Sequence, residues 1–169
     1  NAFNHGCEKF DVFFMTGLPG QNRDSTLESV AYSKRLYQKL NKESRLFTFT
    51  TPMAPFLDPG SIIFESPKKH GYILLYKTLQ NHKDALYQPS WKLYLNYYTD
   101  WMTRDQIANT TYEAMIRMNR IKSEMGVITP QHAEKVNNGL NKAWSLMKKI
   151  DSIVESTSDQ DKRKAEYDK

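Results

Sequence analysis

A chain of 169 residues is about one domain in length, and 39% hydrophobic with 25% charged residues is the balance of a folded protein with a real core. No apolar run approaches the roughly 18 residues of a membrane span, and the opening Asn1-Ala2-Phe3-Asn4-His5 has neither a basic nor an apolar leader region. One cysteine, Cys7, excludes an intrachain disulfide and a multi-cysteine metal site within the segment, which fits a reducing, cytoplasmic setting. The net charge of +5 comes from lysines and arginines interleaved with acids, without a basic stripe, so nucleic acid is not the expected partner.

The chain opens as if partway through an element, with Ala2 to His5 reading as a helix end closed by Gly6, and this predicts a piece of something longer. Phe10, Val12, Phe13, Phe14 and Met15 then form a short apolar run suited to a strand covered on both faces, as in a parallel sheet. Gly17, Pro19 and Gly20 end that strand. Ser25 with Glu28 predicts a capping box, and Leu27, Val30, Ala31, Leu36, Tyr37 and Leu40 give a helix over 25–41. The alternation in 45–51 predicts a second strand, which completes a βαβ unit with parallel strands. Prolines from Pro52 to Pro67 require a long loop on the same rim as the Gly17–Gln21 loop.

The rest reads as mainly helical. Leu74, Leu75, Leu79 and Leu86 predict a helix over 72–86, stopped by Pro89, before the aromatic segment Trp91 to Trp101. Thr103 with Gln106 opens a helix striped by Ile107, Thr111, Ala114, Met115, Met118, Ile121 and Met125. Thr129 and Pro130 open the last one, with Ala133, Val136, Leu140, Ala143, Trp144, Met147, Ile150 and Val154 inward, and the two stripes predict an antiparallel hairpin. Three regions result: 1–67, a helical extension over 68–155, and a polar, disordered tail over 156–169.

The Gly17-Leu18-Pro19-Gly20 loop is either a ligand loop at a strand's carboxyl end or a turn shaped for packing. Asp58, before Pro59-Gly60, is either an ordinary turn residue or the ionisable group of a rim loop. His5, His70, His82 and His132 lack ligand partners at metal spacing, so no metal site is assigned. The Trp91–Trp101 aromatics read as a docking seam before a stacking platform, and no nucleophile pair or carboxylate pair stands out.

At Met15-Thr-Gly-Leu-Pro-Gly-Gln21, then Pro52-Met-Ala-Pro-Phe-Leu-Asp-Pro-Gly60-Ser61, Gly71-Tyr72, Leu95-Asn96-Tyr97 and Trp101-Met102-Thr103-Arg104, the chain resembles the later part of radical S-adenosylmethionine proteins with an amino-terminal cobalamin-binding domain. The resemblance covers roughly residues 1–128. It implies an α/β fold: the last βαβ portion of a partial (β/α)6 barrel, followed by the helical region. It also implies S-adenosylmethionine, a 4Fe-4S cluster and cobalamin as cofactors, a small-molecule substrate, and hydrogen abstraction or methyl transfer as the reaction. The Cys-x3-Cys-x2-Cys cluster motif is absent and would lie upstream of Asn1, in a partner portion of the same polypeptide. Met15, Gly17, Leu18, Pro19, Gly20 and Gln21 would then line the cofactor side. Phe14, Pro52, Pro55, Phe56 and Asp58, with Phe47 and Phe49, would wall a dry substrate cavity. No catalytic residue is assigned. The competing expectation is a non-catalytic helical interaction module over 71–155.

Overall fold

The computed structural model describes residues 2–52 and 57–157, together with 159, 163, 165 and 166. A 3-10 turn, Phe3–His5, leads into strand β1, Phe10–Thr16. Helix α1, Arg23–Lys39, and strand β2, Leu46–Pro52, complete the expected βαβ unit, with β1 and β2 parallel and in register from Phe10↔Leu46 to Thr16↔Pro52. Helix α1 starts two residues before Ser25. Asn22 is the N-cap, accepting from Ser25 N at 2.9 Å while its own N–H donates to the Ser25 hydroxyl at 2.9 Å. Asparagine caps as well as serine does, and Ser25 takes the third-position role that Glu28 was expected to fill.

A one-turn helix α2, Ile62–Glu65, and a 3-10 turn, Pro67–His70, carry the chain to strand β3, Tyr72–Leu74. Helices α3, Leu79–Leu86, and α4, Trp91–Tyr94, precede strand β4, Tyr97–Thr99, which pairs antiparallel with β3. The expected helix over 72–86 is therefore corrected. Gly71 sits at φ +72 and breaks the preceding turn, and the aromatic and β-branched Tyr72 and Ile73 pair with Thr99 and Tyr98. The helix starts only where Thr78 can cap it, accepting from Asn81 N at 3.1 Å. Leucines at 74 and 75 imitate a helical stripe while belonging to a strand and its exit.

Helices α5, Arg104–Glu124, and α6, Pro130–Ser156, start at the Thr103 and Thr129 caps that the sequence predicts. They run antiparallel: Asn119 donates to Ala133 O at 3.0 Å near one end of the pair, and Trp144 donates to Asn109 at 2.6 Å near the other. Ala108, Tyr112 and Met147 form their buried seam, with the Tyr112 and Trp144 rings stacked at 5.8 Å. Ala143 is exposed, and Ile153 takes an inward place instead. Most of the tail beyond Thr157 lies outside the described residues.

Helix α5 is the common support of the molecule. Ala114 and Met118 pack with Val30 of α1 and Phe14 of β1, while Ile107 joins Leu57, Tyr72, Leu95, Tyr97 and Met102 in a second core. Both α1 and α5 cover the face of the parallel pair that carries Phe14 and Thr48; Thr48 bonds Ser33 at 3.0 Å and Tyr37 at 3.1 Å. The opposite face is open, with Phe13 at 59% and Met15 at 44% exposure. The expectation of a strand covered on both faces is thus corrected to one. The apolar run serves two surfaces, of which this chain's helices bury one. Among the described residues the architecture is mixed α/β with two small sheets and a helical C-terminal region, and the parallel pair is not closed into a barrel. Among the described residues no helix is long and apolar enough to cross a membrane.

Candidate functional site

The carboxyl end of β1 carries a loop that closes on itself. Gln21 folds its side-chain amide back so that Nε2 donates to Met15 O at 2.9 Å, while Oε1 accepts from Leu18 N at 3.0 Å. Its backbone N–H donates to Leu18 O at 3.1 Å. One glutamine therefore supplies the partners that strand exit and loop would otherwise lack. Replacing it, Gln21→Ala, removes both side-chain bonds from a partly exposed site and should cost about 1–2 kcal/mol. Urea unfolding would measure this; an unchanged midpoint would mean that Gly17, Pro19 and Gly20 hold the loop alone.

The two glycines do different things. At Gly17, φ is +85 and a Cβ would lie 3.0 Å from the Tyr97 hydroxyl oxygen and 3.3 Å from Ile107. Its missing side chain makes room for the protein's own core, so Gly17 is a packing glycine. At Gly20, φ is +76 and nothing lies within 4 Å of such a Cβ. Met15, Pro19 and Gly20 are exposed and Leu18 half-buried, leaving a largely apolar rim open to a ligand.

Pro52 ends β2 directly opposite Thr16, so the two strands end side by side. Pro55 and Phe56 lie outside the described residues. Asp58 is exposed, and its carbonyl accepts from Ser61 N at 3.0 Å, the geometry of a turn residue. Phe14 is on the helix-packed face, edge-on to Tyr32 at 6.1 Å. The open face carries Phe13 stacked on Phe49 at 5.4 Å, with Lys122 over the Phe49 ring at 4.9 Å. Burial pushes the Lys122 ammonium below its ordinary range.

Two polar constellations have no local sequence signature. The Lys92 side chain is 6% exposed and lies 2.5 Å from Asp105 and 2.7 Å from Asp151, on the wall of a cavity of about 460 Å³ shared with Leu93, Tyr98 and Arg104. These residues come from α4, β4, α5 and α6, which only the fold brings together. A second cavity of about 380 Å³ opens at the start of α1, between Arg23, Trp101, Glu113 and Trp144. Burial by itself would raise the Glu113 carboxyl, but the bond from Arg23 and the charges of Arg117 and Arg23 together hold it below the ordinary carboxylate range.

No described residues form a group of three or more His, Cys, Asp or Glu able to hold a metal ion. The donor set does not fit an iron-sulfur cluster, since Cys7 is the one cysteine of the sequence. Comparison with protein-family models, with curated proteins and with solved structures found no match. The site is therefore read from its own chemistry: a locked, apolar loop and an aromatic sheet face, suited to lining a cavity.

Proposed function

We propose that this chain forms the late strands and one cavity wall of a radical S-adenosylmethionine enzyme of the cobalamin-associated group, acting on a small molecule by hydrogen abstraction or methyl transfer. The observation that carries the reading is the Gln21-closed loop at the carboxyl end of a parallel strand, with the paired strand ending beside it. Ligands of α/β sheets sit at that end. When bound, S-adenosylmethionine and a reduced cluster supply the radical chemistry. This chain contributes the wall, and the cluster ligands belong to an upstream portion of the polypeptide.

On this reading Met15, Leu18, Pro19 and Gly20 face the cofactor, while Gly17 and Gln21 shape the loop they sit on. Phe13 and Phe49, rather than Phe14, line the dry interior, because Phe14 is taken up by the helix-facing core. Excluding water protects a reactive intermediate from side reactions. The decisive experiment is the complete reading frame. It should encode a Cys-x3-Cys-x2-Cys motif ahead of Asn1, and the full-length protein, reconstituted with iron and sulfide, should reductively cleave S-adenosylmethionine to 5′-deoxyadenosine and methionine. A frame without the motif overturns the proposal.

A second reading, a non-catalytic interaction module, draws on the exposure of Leu79 at 81%, Leu86 at 61% and Tyr87 at 78% along and just past α3. Clustered apolar exposure of this kind suits a partner surface. The same reading frame separates the two, since the module needs no cysteine motif.

A further inference from the structure

Asn96 is fully buried between α4 and β4, and its side chain grips the backbone of Leu57 from both sides. Leu57 N donates to Asn96 Oδ1 at 2.7 Å, and Asn96 Nδ2 donates to Leu57 O at 3.1 Å. A backbone N–H can only donate, so Oδ1 has to face it and the orientation of the amide is fixed. Nδ2 also lies 2.9 Å from Nε2 of His82, and since Nδ2 only donates, Nε2 has to accept. On the other side of the ring, Nδ1 lies 2.8 Å from Thr78 O, which only accepts. Both contacts therefore require one species, the neutral imidazole with its proton on Nδ1.

We propose that His82 is a pH-sensitive latch on the Leu57 segment, within the second rim loop. Uptake of one proton at Nε2 turns the acceptor into a donor and sets N–H against N–H. Asn96 relieves that contact by rotating away, and a rotated amide no longer matches the donor and acceptor of Leu57. Histidine is the side chain whose charge changes in the physiological range, so the switch needs no unusual chemistry.

The groups around the ring are compatible with this. Phe64 of α2 stands 6.2 Å from it and Tyr76 stands 6.3 Å away between ring centroids. The Tyr76 hydroxyl donates to Leu93 O at 2.8 Å and accepts from Arg104 at 3.1 Å. On α2 the Glu65 carboxylate accepts from Gly60 N at 3.1 Å, and on α3 Asp84 accepts from Gln80 at 2.7 Å. Lys77 and Lys83 are exposed. The latch is independent of what the rim binds.

Hydrogen exchange of the Leu57 amide, followed by NMR on the full chain and corrected for intrinsic exchange, reads the latch directly. From about pH 8 to about pH 5 its protection should fall roughly tenfold, while amides of the β1–β2 ladder keep theirs. In His82→Gln, whose side-chain oxygen accepts without titrating, Leu57 protection should not change with pH. An equal fall in that variant overturns the proposal. Should the variant fail to fold, the ring nitrogen shifts of the unaltered protein decide: a neutral ring protonated on Nε2 overturns the latch, and one protonated on Nδ1 supports it.

Discussion

Gly17→Ala should destabilise the protein by roughly 2–5 kcal/mol, by more than the same change at Gly20. Two costs combine. A left-handed backbone, φ +85, costs a residue with a Cβ about 1–2 kcal/mol. The added carbon then meets the Tyr97 hydroxyl at 3.0 Å and Ile107 at 3.3 Å, both side chains fully buried, and overpacking of this kind costs about 1–3 kcal/mol. Gly20→Ala bears only the backbone cost, because its Cβ enters open space. Urea midpoints of the two variants give the comparison. Equal losses would refute the assignment of Gly17 as a packing glycine.

Removing the Lys92 charge should be comparably severe. Lys92→Met keeps most of the volume but leaves Asp151, whose side chain is 16% exposed, without its cation. Breaking a buried pair from one side costs about 3–5 kcal/mol. Asp105 is 62% exposed and screened by water, so its share is small and the lower end of that range is expected. Adding Asp151→Asn to Lys92→Met removes the stranded charge and should recover most of the loss. A double variant as unstable as the single one would mean that Lys92 matters for packing and not for charge.

Much of the frame was legible because local chemistry and tertiary packing agree there. The β1–α1–β2 unit, the Thr103 and Thr129 caps and the two long helices each carry signals within a few residues of where they act. The reading failed where a short strand hides in leucine-rich sequence, since Leu74 pairs with Tyr97 across 23 residues that no window of periodicity spans. The same distance effect hid the polar clusters. Lys92 reaches Asp151 and Asn96 reaches Leu57 only after α5 has brought their elements together. At the rim, the loop was readable but the division of labour within it was not. Both glycines look alike in sequence, and only the neighbours of a virtual Cβ tell packing from openness.

The position of α5 also bears on how the chain is made. Phe14 and Val30 are covered by Ala114 and Met118, residues synthesised long after the parallel pair. At about 5–20 residues per second, the ribosome leaves that apolar face waiting for several seconds before its cover exists. During that interval β1 and β2 present unpaired edges and an uncovered greasy side at once, a state that chaperones bind and that aggregates when they do not. Synthesis rate over residues 53–103 is therefore a lever on the yield of folded protein that acts without altering any contact of the finished molecule.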